Sequence, residues 1–150
     1  MDKKTRKQLL FQLLNETGII QQLATTEFNR LMPERLHVSH FSVINHLYRL
    51  GDGPTPLNIA DAFQVTKATM TNTLTRLSAR GLIQIRDNPA DGRSKLVFLT
   101  SKGRTFQKRA IAALEPALEL MDQNLNPEKI IQILPTLQEL REFLDSNRST

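Results

Sequence analysis

The order of segments between residues 55 and 103 admits few folds. The stretch reads TPLNIADAFQVTKATMTNTLTRLSARGLIQIRDNPADGRSKLVFLTSKG. Thr55-Pro56 opens a short helix, with threonine as N-cap and proline at the first helical position. Leu57, Ile59, Ala60 and Phe63 supply its apolar face. Gln64-Val65 makes a turn, and Thr66 caps a second helix that runs from Lys67 to about Arg80 and ends at Gly81, a C-cap glycine. Two β-rich runs follow, Leu82-Ile83-Gln84-Ile85-Arg86 and Lys95-Leu96-Val97-Phe98-Leu99. The residues between them, Asp87 to Ser94, carry Asn-Pro and Asp-Gly turn signals, so a hairpin with an extended tip is expected. This order suits a winged helix-turn-helix, which reads a DNA major groove with a helix and the minor groove with a hairpin tip.

Helical segments flank this lobe. From about residue 4 to 32, Leu10, Leu13, Leu14, Thr17, Ile20, Ala24, Phe28 and Leu31 follow a helical period, and Pro33 ends or redirects the helix. Gly18 lowers its stability locally by about 1 kcal/mol relative to alanine. A second helix is expected from Ser39, as cap, to Leu50, burying Phe41, Ile44, Leu47 and Tyr48, with Gly51-Asp52-Gly53-Pro54 as its stop signal. Thr100-Ser101-Lys102-Gly103 leads into a fifth helix carrying Phe106, Ala110, Ala113, Leu114, Ala117 and Met121 on one side, with a kink or break expected at Pro116. Asn126-Pro127-Glu128 starts a last helix, bent at Pro135, whose apolar residues exceed what one terminal helix buries against its own domain. A partner subunit is therefore expected. The fold class is mainly α with a small β-hairpin wing (α+β). One domain spans 1–150, with dimerisation arms at 4–32 and 104–146 around a DNA-binding lobe at 39–103.

The chain carries a net charge of +5, unevenly distributed. Between Thr66 and Arg109 stand ten basic and two acidic residues, a net +8, which leaves −3 for the rest. Such a concentration is what a phosphate-tracking surface needs. Cysteine is absent, which excludes disulfides, thiolate metal sites and a cysteine-based oxidant sensor. No stretch approaches the roughly 20 apolar residues of a membrane span, and the N-terminus lacks the pattern of a signal peptide. A cytoplasmic protein without a cofactor is expected.

On a helical wheel of residues 67–80, Met70, Leu74 and Leu77 fall on one side with Gly81, and Ala68, Thr69, Asn72, Thr75, Arg76 and Ala79 on the other. The second side is small, polar and free of acids. Asn72 can bond an adenine edge, and Ala68 or a threonine methyl can meet a thymine methyl. Thr66, Lys67 and Thr71 suit phosphates near the helix N-terminus. Threonine is a mediocre helix former, so five of them within residues 66–75 call for a reason other than helix stability. At the hairpin tip, Arg93 suits the narrow, electronegative minor groove, with Asp91 orienting it or closing the turn, and Lys95 joins the DNA-contacting set. The plain alternative there is a type I′ turn with an exposed arginine.

These residues resemble the MarR family of bacterial transcription regulators. The likeness rests on LNIADAFQVTKATMTNTLTRLSARGLI, on the wing DNPADGRSKLVFLTSKG with Asp91 and Arg93, and on Leu99-Thr100-x-x-Gly103. It extends over almost the whole chain. The resemblance implies a homodimer joined by its terminal helices and bound to double-stranded DNA at a pseudo-palindromic operator. It implies a repressor, or sometimes an activator, whose affinity many relatives adjust with a small phenolic or anionic effector. By position it implies Arg93 as the minor-groove residue, Asp91 as its support, and Lys67, Ala68, Thr69, Asn72 and Arg76 facing the operator. The missing cysteine separates this chain from the thiol-sensing branch.

Three rival readings compete with this one. Glu34, His37, His40 and His46 have spacing that can bring ligands to one face, as a zinc-responsive regulator requires, although histidines more often cap or sit on surfaces. A winged-helix module for protein contact has no use for the +8 segment. For an enzyme there is no phosphate loop, nucleophile elbow or HExxH motif.

Overall fold

Asp2 opens α1 (Lys3–Leu31) by accepting the Thr5 backbone N–H at 2.7 Å. The computed structural model describes residues 1–51 and 53–147; Asp52, part of the expected Gly-Asp-Gly-Pro stop, lies outside them. After α1 come α2 (Val38–Leu50), α3 (Pro56–Phe63), α4 (Lys67–Ala79), the strands β1 (Ile83–Asp87) and β2 (Lys95–Leu99), α5 (Ser101–Asn124) and α6 (Pro127–Ser146). The chain divides into two compact units, Met1–Leu114 and Glu115–Thr150. No described helix is long and apolar enough to cross a membrane.

The first unit holds the core. Leu36, Val43, Ile44 and Leu47 meet Ile59 from α3, Met70, Leu74 and Leu77 from α4, Val97 from β2 and Phe106 from α5. Each such side chain contributes about 1.5–3 kcal/mol on leaving water, and together they fix which side of α4 faces inward. The expected apolar stripes need two corrections. Tyr48 is exposed and His40 and Val43 are buried in α2, while Leu57 of α3 is exposed. Helix rotation explains both: Ile44 and Leu47 define a face to which His40 and Val43 also belong.

Helix α2 also starts differently from expectation. Ser39 lies inside the helix rather than capping it, and His37 is the N-cap. The His37 N–H donates to His40 Nδ1 at 3.0 Å, and Asn29 of α1 accepts the Val38 N–H at 2.7 Å. A side chain from a neighbouring helix thus satisfies a free amide that a serine could have taken. Before it, the turn Pro33–Arg35 places two successive non-glycine residues in the left-handed region, Glu34 (φ 59) and Arg35 (φ 55). Such residues cost on the order of 1–3 kcal/mol each and persist where surroundings hold them. Here Arg80, at the end of α4, donates to the Glu34 carbonyl, and Arg109 of α5 pairs with its carboxylate at 3.0 Å.

The hairpin is antiparallel, with Ile83 opposite Leu99 and Asp87 opposite Lys95. On the other edge of β2, Val97 exchanges backbone hydrogen bonds with Gly53 and Pro54 at 2.9 and 3.0 Å, so that edge is partly covered. Helix α5 begins at Ser101, three residues before the expected boundary, because the Thr100 hydroxyl accepts the Gly103 N–H at 3.0 Å. The same hydroxyl donates toward the Gly81 and Leu82 carbonyls at 2.6 and 3.0 Å. Gly103 is the residue that lets α5 approach: a Cβ there would lie 2.1 Å from the Leu82 oxygen. Helices α5 and α6 continue through Pro116 and Pro135 without interruption, so no break occurs at either proline.

Candidate nucleic-acid interface

Thr66 caps α4 by accepting the Thr69 N–H at 3.1 Å, and its hydroxyl donates to Thr69 Oγ1 at 2.9 Å. The helix closes at Arg80, followed by Gly81 at φ 71, the left-handed geometry that glycine adopts without a steric penalty. Met70, Leu74 and Leu77 anchor one side in the core. The rest is turned to solvent: Thr66, Lys67, Ala68, Thr69, Thr71, Asn72, Thr75 and Arg76 are all exposed. The wheel therefore separates the two sides as expected. Thr71 and Thr75 each donate their hydroxyl to the carbonyl four residues earlier, at 2.8 Å. Thr71 as a phosphate donor must give up that bond first.

The wing tip is built by side chains that close the chain on itself. Asn88 accepts the Ala90 N–H at 3.0 Å and donates to Ser94 Oγ at 2.9 Å. Asp91 accepts the Arg93 backbone N–H at 2.9 Å. Asp91 thus closes the turn, one of the two roles expected of it, and does so through the backbone. The Arg93 guanidinium has no protein partner among the described residues. Gly92 is not left-handed, so the tip is not a type I′ turn, which requires positive φ at both central residues. Lys95 ion-pairs with Asp87 directly across the hairpin, and that hydrogen bond holds the Asp87 carboxyl below the usual carboxylate range.

Between the start of α3, the exposed side of α4 and the wing runs a cleft of about 630 Å³, lined by Lys67, Thr71, Thr75, Ile85, Arg93 and Lys95 among others. The structure thus brings five of the ten expected residues (Lys67, Thr71, Asp91, Arg93 and Lys95) around one concavity. Thr66, Ala68, Thr69, Asn72 and Arg76 are exposed elsewhere on α4 and at its cap.

The sequence reading missed a further fixed cation. Arg86 stacks on Phe98 with its guanidinium carbon 4.3 Å from the ring centroid, and it donates to Gln84 Oε1 at 2.8 and 3.1 Å. The signal was available in the alternation of β1, which puts Gln84 and Arg86 on one face with Phe98 opposite Gln84. Lys102 was counted only as charge, yet its Nζ donates to the Arg80 carbonyl at 2.7 Å and tends the end of α4.

The histidines considered for zinc have other engagements. His40 is buried, only 9% exposed, and its Nδ1 accepts the His37 amide. His46 sits edge-on to Phe63 at 5.3 Å. Among the described residues, no group of three or more His, Cys, Asp or Glu side chains could hold a metal ion. Burial, then the nearby Arg76, His37 and Arg80, push the His40 imidazole below its usual pKa.

The sequence pattern of the MarR family matches residues 36–94. Among solved structures, the transcriptional regulator BldR from Sulfolobus solfataricus is similar, at 24% identity and a TM-score of 0.75, covering 93% of this chain and 99% of its own. BpsR from Bordetella bronchiseptica, whose DNA binding is regulated by 6-hydroxynicotinic acid, is 25% identical with a TM-score of 0.75, covering 87% and 98%. A MarR variant from E. coli, complexed with operator DNA, is 22% identical with a TM-score of 0.74, covering 93% and 99%. The winged-helix architecture is therefore the shared one.

Proposed function

This chain belongs to the MarR family through residues 36–94, and from that premise we propose that it is a dimeric, sequence-specific DNA-binding repressor of transcription in the cytoplasm. Helix α4 lies in the major groove and the wing tip enters the flanking minor groove. The observation that carries this reading is the pairing of an exposed, acid-free helix side with a wing-tip arginine whose guanidinium is uncommitted. A slim cationic tip is suited to a narrow minor groove, and the net positive charge of residues 66–109 supplies the phosphate attraction. Thr66 and Lys67 contact phosphates, and Thr71, its hydroxyl held by the Lys67 carbonyl, lines the cleft beside them. Ala68, Thr69, Asn72 and Arg76 face base edges, while Asp91 holds the tip in shape and Lys95 flanks it.

Dimerisation is supported by apolar surface left uncovered in each unit. In α1, Phe11 and Leu23 are 73% and 67% exposed, and in α6 Ile131 and Phe143 are 67% and 62% exposed. Large apolar side chains left this exposed mark contact surfaces. Two copies related by a two-fold axis present two recognition helices to half-sites about one helical turn apart. A small aromatic or anionic effector that alters DNA affinity completes the proposal, by analogy with BpsR. The protein then works by binding and release, without catalysis.

The test is a gel-shift titration against duplexes enriched from a random-sequence library, repeated at rising salt. Wild-type affinity should fall steeply with salt as counterions are released. Arg93→Ala should weaken binding about ten-fold while sedimentation and circular dichroism stay unchanged. Unchanged affinity in that variant would remove the wing from the interface.

A further inference from the structure

The outward side of α4 is lined mostly by methyl groups, and the hydrogen bonding of its threonines is the reason. Thr71 gives its hydroxyl proton to the Lys67 carbonyl and Thr75 gives its own to the Thr71 carbonyl, both at 2.8 Å. A threonine hydroxyl has one proton, so neither residue has a donor left for a base unless it breaks that bond. With the oxygen drawn against the backbone, the methyl branch at Cβ takes the outward position. Both residues are exposed. Ala68, Asn72, Thr75 and Ala79 stand opposite the buried Met70, Leu74 and Leu77, with Thr71 at the edge toward the wing. That side presents the methyls of Ala68, Thr71, Thr75 and Ala79 around the Asn72 amide, with Arg76 beside that amide and Lys67 at the margin.

We propose that α4 selects its site through the 5-methyl groups of thymine, with Asn72 on an adenine edge, so that the half-site it reads is rich in A·T pairs. Thymine offers a methyl group and an acceptor in the major groove, where cytosine offers a donor and no methyl. Methyls that exclude water around a thymine methyl favour it over any pyrimidine lacking that group. Guanine is read best by arginine or lysine, and Arg76 is the one such side chain on this side, so the rest of the face is left to A·T pairs. The inference rests on the DNA-binding reading above and adds what the helix recognises.

The test uses a duplex recovered by selection from a random-sequence library, remade with deoxyuridine in place of every thymidine. That change removes only the 5-methyl groups. Wild-type protein should bind the uridine duplex at least about four-fold more weakly, the effect of one buried methyl group. The double variant Thr71→Ser, Thr75→Ser should lose affinity for the thymidine duplex and no longer distinguish the two as wild type does. Thr71→Val with Thr75→Val keeps the methyls without the hydroxyls, so it should bind like wild type and retain the uridine penalty. Equal wild-type affinity for both duplexes overturns the proposal without reference to any variant. A valine variant that weakens as much as the serine variant overturns it too. Recovery of no duplex at all instead overturns the DNA-binding reading beneath it.

Discussion

Replacing Gly103 by alanine measures how firmly the wing is fastened to α5. The added Cβ would lie 2.1 Å from the Leu82 carbonyl oxygen and 2.6 Å from Leu99 Cδ1. Ordinary carbon–oxygen contact is about 3.3 Å, so the first turn of α5 must withdraw by about 1 Å. Leu82 O accepts the Thr100 N–H at 3.2 Å and the Thr100 hydroxyl at 3.0 Å, and Thr100 Oγ1 accepts the Gly103 N–H at 3.0 Å. A withdrawal of that size takes these bonds out of range, at about 1 kcal/mol each. Alanine returns about 1 kcal/mol of helix preference over glycine. The net loss is then roughly 2 kcal/mol, a fall in Tm of roughly 4–8 °C for a chain of this size. Gly92→Ala is the control, since nothing lies within 4 Å of its Cβ position and its φ is not left-handed. It should stay within about 0.5 kcal/mol of wild type. Urea denaturation followed by far-UV circular dichroism reads both. If the two variants unfold at the same midpoint, the close approach at Gly103 does not hold the wing.

Other consequences follow from single residues. Thr66→Ala removes the acceptor of the Thr69 N–H and should destabilise by about 1 kcal/mol; Thr66→Asn, another good cap, should restore most of that in the same denaturation series. The folded-state pKa of His40 lies below the ordinary imidazole value of 6.5, so its contribution to stability is complete above that value and is lost as pH falls through the folded pKa. Urea midpoints should therefore drop on acidification below pH 6.5, and His40→Gln should flatten that part of the profile; an unaltered slope would assign it to other groups. Asn72→Ala should relax preference at one position of each half-site in a binding-site selection. A uniform loss across all sequences would make Asn72 a backbone contact.

Much of the lobe was legible because its signals are local. A threonine followed by proline, a threonine ahead of a helical run and a glycine behind it act within one turn of backbone, and Thr55, Thr66 and Gly81 take those roles in the structure. The hairpin strands were recovered within a residue at each end, since alternation is also a local property. Where the partner of a group lies far along the chain, the reading failed. Ser39 looked like a cap, yet Asn29 and His40 satisfy the amides at the start of α2. Tyr48 and Leu57 looked buried because hydrophobicity was read without the neighbouring elements that decide a helix's rotation. Arg86 looked like one more charge until the strand register set Phe98 beneath it.

The amino-acid order by itself determined the succession of helices and strands, the inward stripe of α4, and the concentration of positive charge around the wing. These depend on propensities and periods that operate over a few residues. Tertiary structure alone decided that Arg80 and Arg109 brace a left-handed turn at Glu34, that Thr100 and Gly103 clasp the hairpin to α5, and that Arg93 remains uncommitted while Lys95 is paired. Each of those outcomes is a choice among partners brought together by packing, and the energy separating one partner from another appears only once the chain has closed around its core.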